Sequence, residues 1–126
     1  IINKPLSYLK KRDFNAFKSK NSLFAMTAHV IFSKIDKDNT VTHSRKIIKI
    51  IRNSIKFKNL IISDDLSMKS LKHTLSQNTA KAFEAGCNIV LHCNGNLKEM
   101  TIVAKKSPKV SSFIIKKTSE FYKNLS

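Results

Sequence analysis

Glycine and proline occur twice each in the 126 residues, cysteine twice, and tryptophan not at all. Two glycines cannot build a phosphate-cradling loop, which argues against a nucleotide-binding protein. Cys87 and Cys93 lie six apart, a spacing unlike that of a zinc site, and no second pair exists. If they flank a strand, their sulfurs are held too far apart for a disulfide. A reduced, cytoplasmic setting is expected. No apolar run reaches the ~18 residues of a membrane span, and the N-terminus lacks a signal-peptide layout. No membrane partner is expected. The chain begins with Ile1, not Met, and opens at once into helix-like sequence, so it reads as starting within something longer.

Acidic residues are also scarce: 8 Asp and Glu stand against 24 Lys and Arg, a formal charge of +16. Such an excess invites a nucleic-acid reading. Only three of the 24 are Arg, the lysines are scattered from Lys4 to Lys123, and there is no aromatic ladder for stacking bases. Base-edge recognition leans on Arg forks and single-strand binding on aromatics. Non-specific binding of nucleic acid at low salt is therefore all the charge predicts.

What is present is a globular composition, 41% hydrophobic, in a length suited to one domain. Residues 5–19 place Leu6, Leu9, Phe14 and Phe17 at near-helical spacing behind Pro5. Residues 22–32, "SLFAMTAHVIF", read as a strand buried on both faces. A loop, "KIDKDNT", precedes a helix over 43–56 with an Ile stripe, capped by Thr42 or Ser44. "NLIISDD" reads as a second strand, 71–85 as a helix ended by Gly86, and "CNIVLHCN" as a third strand. Helices over about 96–106 and 109–124 complete the chain. Alternation of this kind predicts an α/β fold with a parallel sheet of about three strands. In such folds the chemistry sits at the C-terminal ends of the strands. Three strand ends carry polar groups here: Thr27 and His29; Ser63, Asp64 and Asp65; His92, Cys93 and Asn94.

The paired carboxylates are the central feature. Strand alternation sends Asp64 and Asp65 to opposite faces. Neighbours in one strand do not serve as the two opposed carboxylates of a glycosidase, which stand ~5–5.5 Å apart across the substrate in retaining enzymes. Asp65 or Ser63 reads as the cap of a helix starting near Leu66. Asp64 would stand at the mouth of a buried strand without an evident partner and is the better functional candidate. His29 reads as either a structural or a supporting group at the same rim. His43 and His73 read as solvent or helix-start residues, and His92 as outward and structural.

These segments resemble bacterial family 3 glycoside hydrolases, specifically the single-domain cytoplasmic β-N-acetylhexosaminidases of peptidoglycan recycling. "FKNLIISDDLSM" resembles the family's Phe-x-Gly, apolar triplet and Ser-Asp-Asp-Leu-Ser-Met. "FAMTAHVIFSKID" is similar to its Met-x-Ala-His-Val segment and the Asp-containing loop after it. "AFEAGCNIVLHCN" resembles its Ala-Gly-Cys-Asp strand ending in Cys-Asn. The three occur in family order and cover nearly the whole chain. The resemblance implies a (β/α)8 barrel of which these would be strands six to eight. It implies that Asp64 is the nucleophile, forming a glycosyl-enzyme intermediate with retention. Asp65 would help hold the loop, and His29 would match a strand-end histidine near the site.

The chain departs from the family pattern at Asn59 (for Gly) and Asn88 (for Asp). Asn59 is read as tolerating a left-handed conformation in glycine's place. The family's acid/base loop, with its Lys-His-Phe-Pro-Gly-His-like segment, and the sugar-gripping N-terminal strands have no counterpart here. A barrel of this kind takes ~250 residues, and this chain supplies about half. Residues 1–126 thus read as the C-terminal portion of the barrel domain, leaving open edges and one uncovered face. The implied substrates are muropeptides containing N-acetylglucosamine, and a chain supplying the missing barrel half is a candidate partner. No cofactor and no metal are called for. The reading from another class is a basic α/β binding module for nucleic acid or an acidic partner.

Overall fold

The structure is a computed structural model that describes residues 1–18 and 22–125. Three parallel strands form one sheet in the order β1 (Phe24–Met26), β2 (Leu60–Asp65), β3 (Ile89–Leu91). Helix α1 (Leu6–Lys11) precedes β1, α2 (Arg45–Asn53) joins β1 to β2, and α3 (Leu75–Ala85) joins β2 to β3. Helices α4 (Leu97–Lys106) and α5 (Ser112–Lys123) follow. The expected alternation is present, and every strand pairing is parallel.

Local sequence explains most boundaries. Ser44 accepts from the Ile47 amide at 3.2 Å and so caps α2. Thr74 and Gln77 cap each other's backbone in a capping box that starts α3. Asn96 and Ser111 cap α4 and α5 by accepting from the amides of Glu99 and Ile114. One face of the sheet packs on α2 and α3. Its core is Ile48, Phe57, Ile61, Leu66, Leu71, Ala82, Ala85 and Cys87, with Ala25 and Val90 against it. The other face is covered near the start of β1, where Phe121 of α5 meets Phe24 edge-on at 5.2 Å. At the end of β1, Met26 is 62% exposed on that same face. The uncovered face anticipated for a partial barrel is therefore open at its C-terminal end.

Several expectations are corrected. The first helix is shorter than 5–19: α1 ends at Lys11 and a 3-10 turn spans Phe14–Phe17, while residue 19 lies outside the described residues. The run 22–32 is a strand only at Phe24–Met26. Beyond it, Ile31 and Ser33 exchange backbone hydrogen bonds with Ile2, and the Val30 carbonyl accepts from Val41. The apolar run thus feeds two different partners, which its composition could not show. No helix begins near Leu66; residues 66–70 form turns and a bend, and α3 starts only at Leu75, where the capping box satisfies its free amides.

Candidate active site

At the end of β2 the ladder is irregular. Ile62 pairs with Ile89 and Asp65 with Leu91, so three residues of one strand step past two of the other. This is a bulge. The Ser63 hydroxyl, fully buried, accepts from the Leu91 amide at 3.0 Å and bridges the gap. Simple alternation therefore does not carry through to the carboxylates. They are unequal for a different reason, which is hydrogen bonding.

Both oxygens of Asp65 are engaged. Oδ1 accepts from the amides of Ser67 (3.0 Å) and Cys93 (3.1 Å), and Oδ2 from the Ser67 hydroxyl (2.6 Å). Burial would raise this carboxyl, but the Ser67 and Cys93 bonds and the nearby His92 outweigh it and hold it below the usual carboxylate range. Asp65 does not cap a helix as expected. It closes an Asx turn and ties the end of β2 to the end of β3. Asp64 is half-buried, and its Oδ1 accepts from the Asp65 amide at 2.8 Å. Among the described residues its Oδ2 has no hydrogen-bond partner.

His29 lies at the same rim, and both ring nitrogens are occupied. Nε2 is 2.8 Å from the Asp65 carbonyl and Nδ1 is 2.9 Å from Thr42 Oγ1. It supports the backbone beside Asp64. The three strand ends therefore converge as expected, joined by His29 to Asp65 and by Cys93 to Asp65. His92 is not outward: its side chain is 5% exposed, and Nε2 meets Glu99 Oε2 at 2.7 Å. That contact and a bond from Asn94 hold Glu99 below its usual range and dock α4 beside the rim. His43 is half-buried, bonded through Nε2 to the Asn78 carbonyl at 3.2 Å. His73 is exposed, as read.

Sequence reasoning missed two polar residues. Thr42 is fully buried beneath His29 and bonds to Thr27 at 2.9 Å. Asp36 is buried and accepts from Ser44 Oγ at 2.7 Å and from the Asn39 amide at 3.2 Å, so it orients the cap of α2. Burial would raise the Asp36 carboxyl, but the Ser44 and Asn39 bonds prevail and lower it. A Thr or Asp in a polar loop carries no sequence mark of such burial. A hollow of about 240 Å³ lined by Lys10, Phe14, Lys18, Ser54 and Ile55 lies beyond the C-terminal end of α2, at the opposite end of the sheet from this rim. Among the described residues no group of three or more His, Cys, Asp or Glu is placed to hold a metal. None of the described helices is long and apolar enough to cross a membrane.

Residues 1–118 match the profile described as "Glycosyl hydrolase family 3 N terminal domain". The chain belongs to glycosyl hydrolase family 3. A family member called Beta-hexosaminidase from Actinobacillus pleuropneumoniae serotype 3 is 34% identical over 98 residues, 73% of this chain and 28% of the relative. One of the same name from Nitrosomonas eutropha is 38% identical over 71 residues, 55% of this chain and 20% of the relative. The β-N-acetylglucosaminidase of Thermotoga maritima superposes with a TM-score of 0.73 at 26% identity, over 83% of this chain and 24% of that one. NagZ from Neisseria gonorrhoeae gives 0.65 at 28%, over 83% and 30%. The matched region spans less than a third of each of these proteins. The parallel three-stranded α/β arrangement is that of part of the family 3 (β/α)8 barrel.

Two departures from the family pattern now have a structural account. Asn59 does not adopt the left-handed conformation expected of it; among described non-glycine residues only Lys56 does, with φ 63°. Asn59 instead donates from its side chain to the Ser22 carbonyl at 2.8 Å. Asn88 Oδ1 accepts from the Ile61 amide (2.9 Å) and from Arg52 (2.8 Å). The other Arg52 acceptors are the carbonyls of Phe57 and Asn59, also neutral. Burial, with no carboxylate bonded to it among the described residues, pushes this guanidinium below its usual range. Restoring the family's carboxylate by Asn88→Asp should therefore stabilise the protein by about 0.5–1 kcal/mol. Urea midpoints should rise at low salt and converge with wild type at high salt. An unchanged or lowered midpoint at low salt would contradict the proposed gain.

Proposed function

We propose that this chain carries the nucleophile side of a retaining β-N-acetylhexosaminidase, with Asp64 as the nucleophile. The observation that carries the reading is the contrast between the carboxylates. Asp65 is consumed by the loop, whereas Asp64 stands at the end of the central strand with one oxygen held by an amide and the other available. Asp64 would attack the anomeric carbon of a terminal N-acetylglucosamine. The C–O bond to the leaving group breaks, and a glycosyl-enzyme ester forms that water later hydrolyses. The leaving oxygen needs a proton. His29 is a poor donor for it, because both of its nitrogens are already bonded.

The acid/base and the sugar-gripping residues would belong to the portion of the barrel that residues 1–126 do not contain. The substrates carried over from the family resemblance are muropeptides, acted on in the cytoplasm. The names Beta-hexosaminidase and β-N-acetylglucosaminidase among the relatives support the hexosaminidase activity.

The purified chain should turn over an ordinary aryl N-acetylglucosaminide little or not at all. A dinitrophenyl N-acetylglucosaminide leaves without a proton. At concentrations high enough to offset the missing sugar contacts, it should slowly esterify Asp64, seen by peptide mass spectrometry. Asp64→Asn should abolish the adduct. Labelling that persists in the variant, or robust turnover of the ordinary substrate, would show the division of roles to be wrong.

A further inference from the structure

Resting on that reading of Asp64, we infer that Thr42 is a positioning residue for the nucleophile, acting through His29 and the Asp65 backbone. Donor and acceptor chemistry sets the direction of the chain. The Asp65 carbonyl can only accept, so His29 Nε2 carries the hydrogen across the 2.8 Å contact. In the neutral ring Nδ1 is then an acceptor, and Thr42 Oγ1, 2.9 Å away, donates to it. Thr42 has spent its one hydrogen, so Thr27 Oγ1 donates to Thr42 across 2.9 Å. The competing acceptor for Thr42, the Ala28 carbonyl, is 3.4 Å away and weaker.

The result is a one-way relay: Thr27 to Thr42 to His29 to the Asp65 carbonyl. Asp65 in turn donates its amide to Asp64 Oδ1 at 2.8 Å. Thr27 and Thr42 are 5% and 0% exposed, so water cannot readily replace either hydroxyl. The relay clamps the carbonyl of Asp65, the residue whose amide orients Asp64. A carboxylate at the end of a bulged strand needs such a clamp, because the regular ladder no longer holds it. Thr42 lies in the 3-10 turn Val41–His43, which Ser44 and Asp36 anchor to α2, so the clamp is mounted on a fixed element.

The test uses the full chain, isotopically labelled, with Thr42→Val and Thr42→Ser. Val matches Thr in volume and removes the hydroxyl; Ser keeps it. In wild type, long-range imidazole spectra should show His29 as the neutral Nε2–H tautomer with Nδ1 accepting a hydrogen bond. In Thr42→Val, Nδ1 should move to the position of a free acceptor and the Asp65 amide proton should move upfield. Esterification of Asp64 by the dinitrophenyl glycoside should slow by about 10-fold or more. Thr42→Ser should restore all three, which also covers the case of a poorly folded Val variant. A His29 carrying its hydrogen on Nδ1 would overturn the relay. So would a folded Val variant with the Asp65 amide and the labelling rate unchanged. If wild type forms no adduct, the nucleophile reading and the positioning role fall together. The two spectroscopic readouts would then still judge the hydrogen-bond chain alone.

Discussion

Gly86→Ala is expected to destabilise the protein by about 2–4 kcal/mol, combining a left-handed backbone penalty with crowding of a packed core. Gly86 ends α3 with φ 117° and ψ 17°, and its amide closes the last turn onto the Ala82 and Phe83 carbonyls. The following Cys87 amide returns to Ala82 at 3.1 Å, so the turn leads straight into the strand segment that carries β3. A Cβ here would stand 2.9 Å from Ile48 Cγ2. Ile48 is 4% exposed in the core between α2 and the sheet and has little room to give. The second glycine supplies the control. Gly95 has φ 73° and nothing within 4 Å of an added Cβ. Gly95→Ala should therefore cost only the backbone part, about 1–2 kcal/mol. Urea unfolding of both variants with unchanged m-values separates the two effects. Equal losses at the two positions would show that Ile48 yields freely and that the close packing of α2 against Gly86 does not matter.

Mild acid should weaken the fold through His43. Burial pushes this imidazole down to about 4, against a helpful bond to the Asn78 carbonyl, with His29, His73 and Lys81 adding to the depression. The unfolded chain takes up the proton near pH 6.5, whereas the folded one resists until about 4. Between those values the unfolded state binds more protons, so stability present above pH 6.5 is lost as pH falls towards 4. The ring is only half-buried, so solvent screening reduces the full linkage value to about 1–2 kcal/mol. Asp36 and Asp65, both lowered, add a further loss below about pH 4, as their carboxylates are protonated. His43→Gln should flatten the pH 6.5–4 segment and leave the steeper acid limb in place. A variant that follows the wild-type curve throughout would remove His43 as its cause.

These effects touch the two levels at which the molecule can be read. Element order and parallel pairing were legible because apolar runs, an Ile stripe, caps and Gly86 are local signals that tertiary structure had no reason to override. The family was legible because "SDDLSM" and its two companion segments are specific strings. Asp64, His29 and Asp65 were legible as a group, since strand ends in a parallel sheet share one rim. What failed was geometry dependent on long-range partners. The run 22–32 was split because its end bridges to Ile2, distant in sequence, at Phe32, while the Val30 carbonyl turns to Val41. Asp65 was expected to cap a helix that does not form, and it took the amides of Ser67 and Cys93 instead. His92 was read as outward and proved to be docked on Glu99; His43, read as a solvent or helix-start residue, stands just ahead of α2 but is half-buried against Asn78.

The sequence by itself therefore determined the order of elements, the parallel sheet and the kinship to family 3, because each rests on residue types and spacings along the chain. Only the tertiary structure decided why Asp64 and Asp65 differ. Alternation predicted the difference, but the bulge between Ile62 and Asp65 cancels alternation at that point. The inequality comes from which carboxylate the folded loops engage: amides and a hydroxyl close on Asp65, while Thr27, Thr42 and His29 grip its backbone and leave an oxygen of Asp64 available. Hydrogen bonds between residues up to 36 positions apart set that outcome.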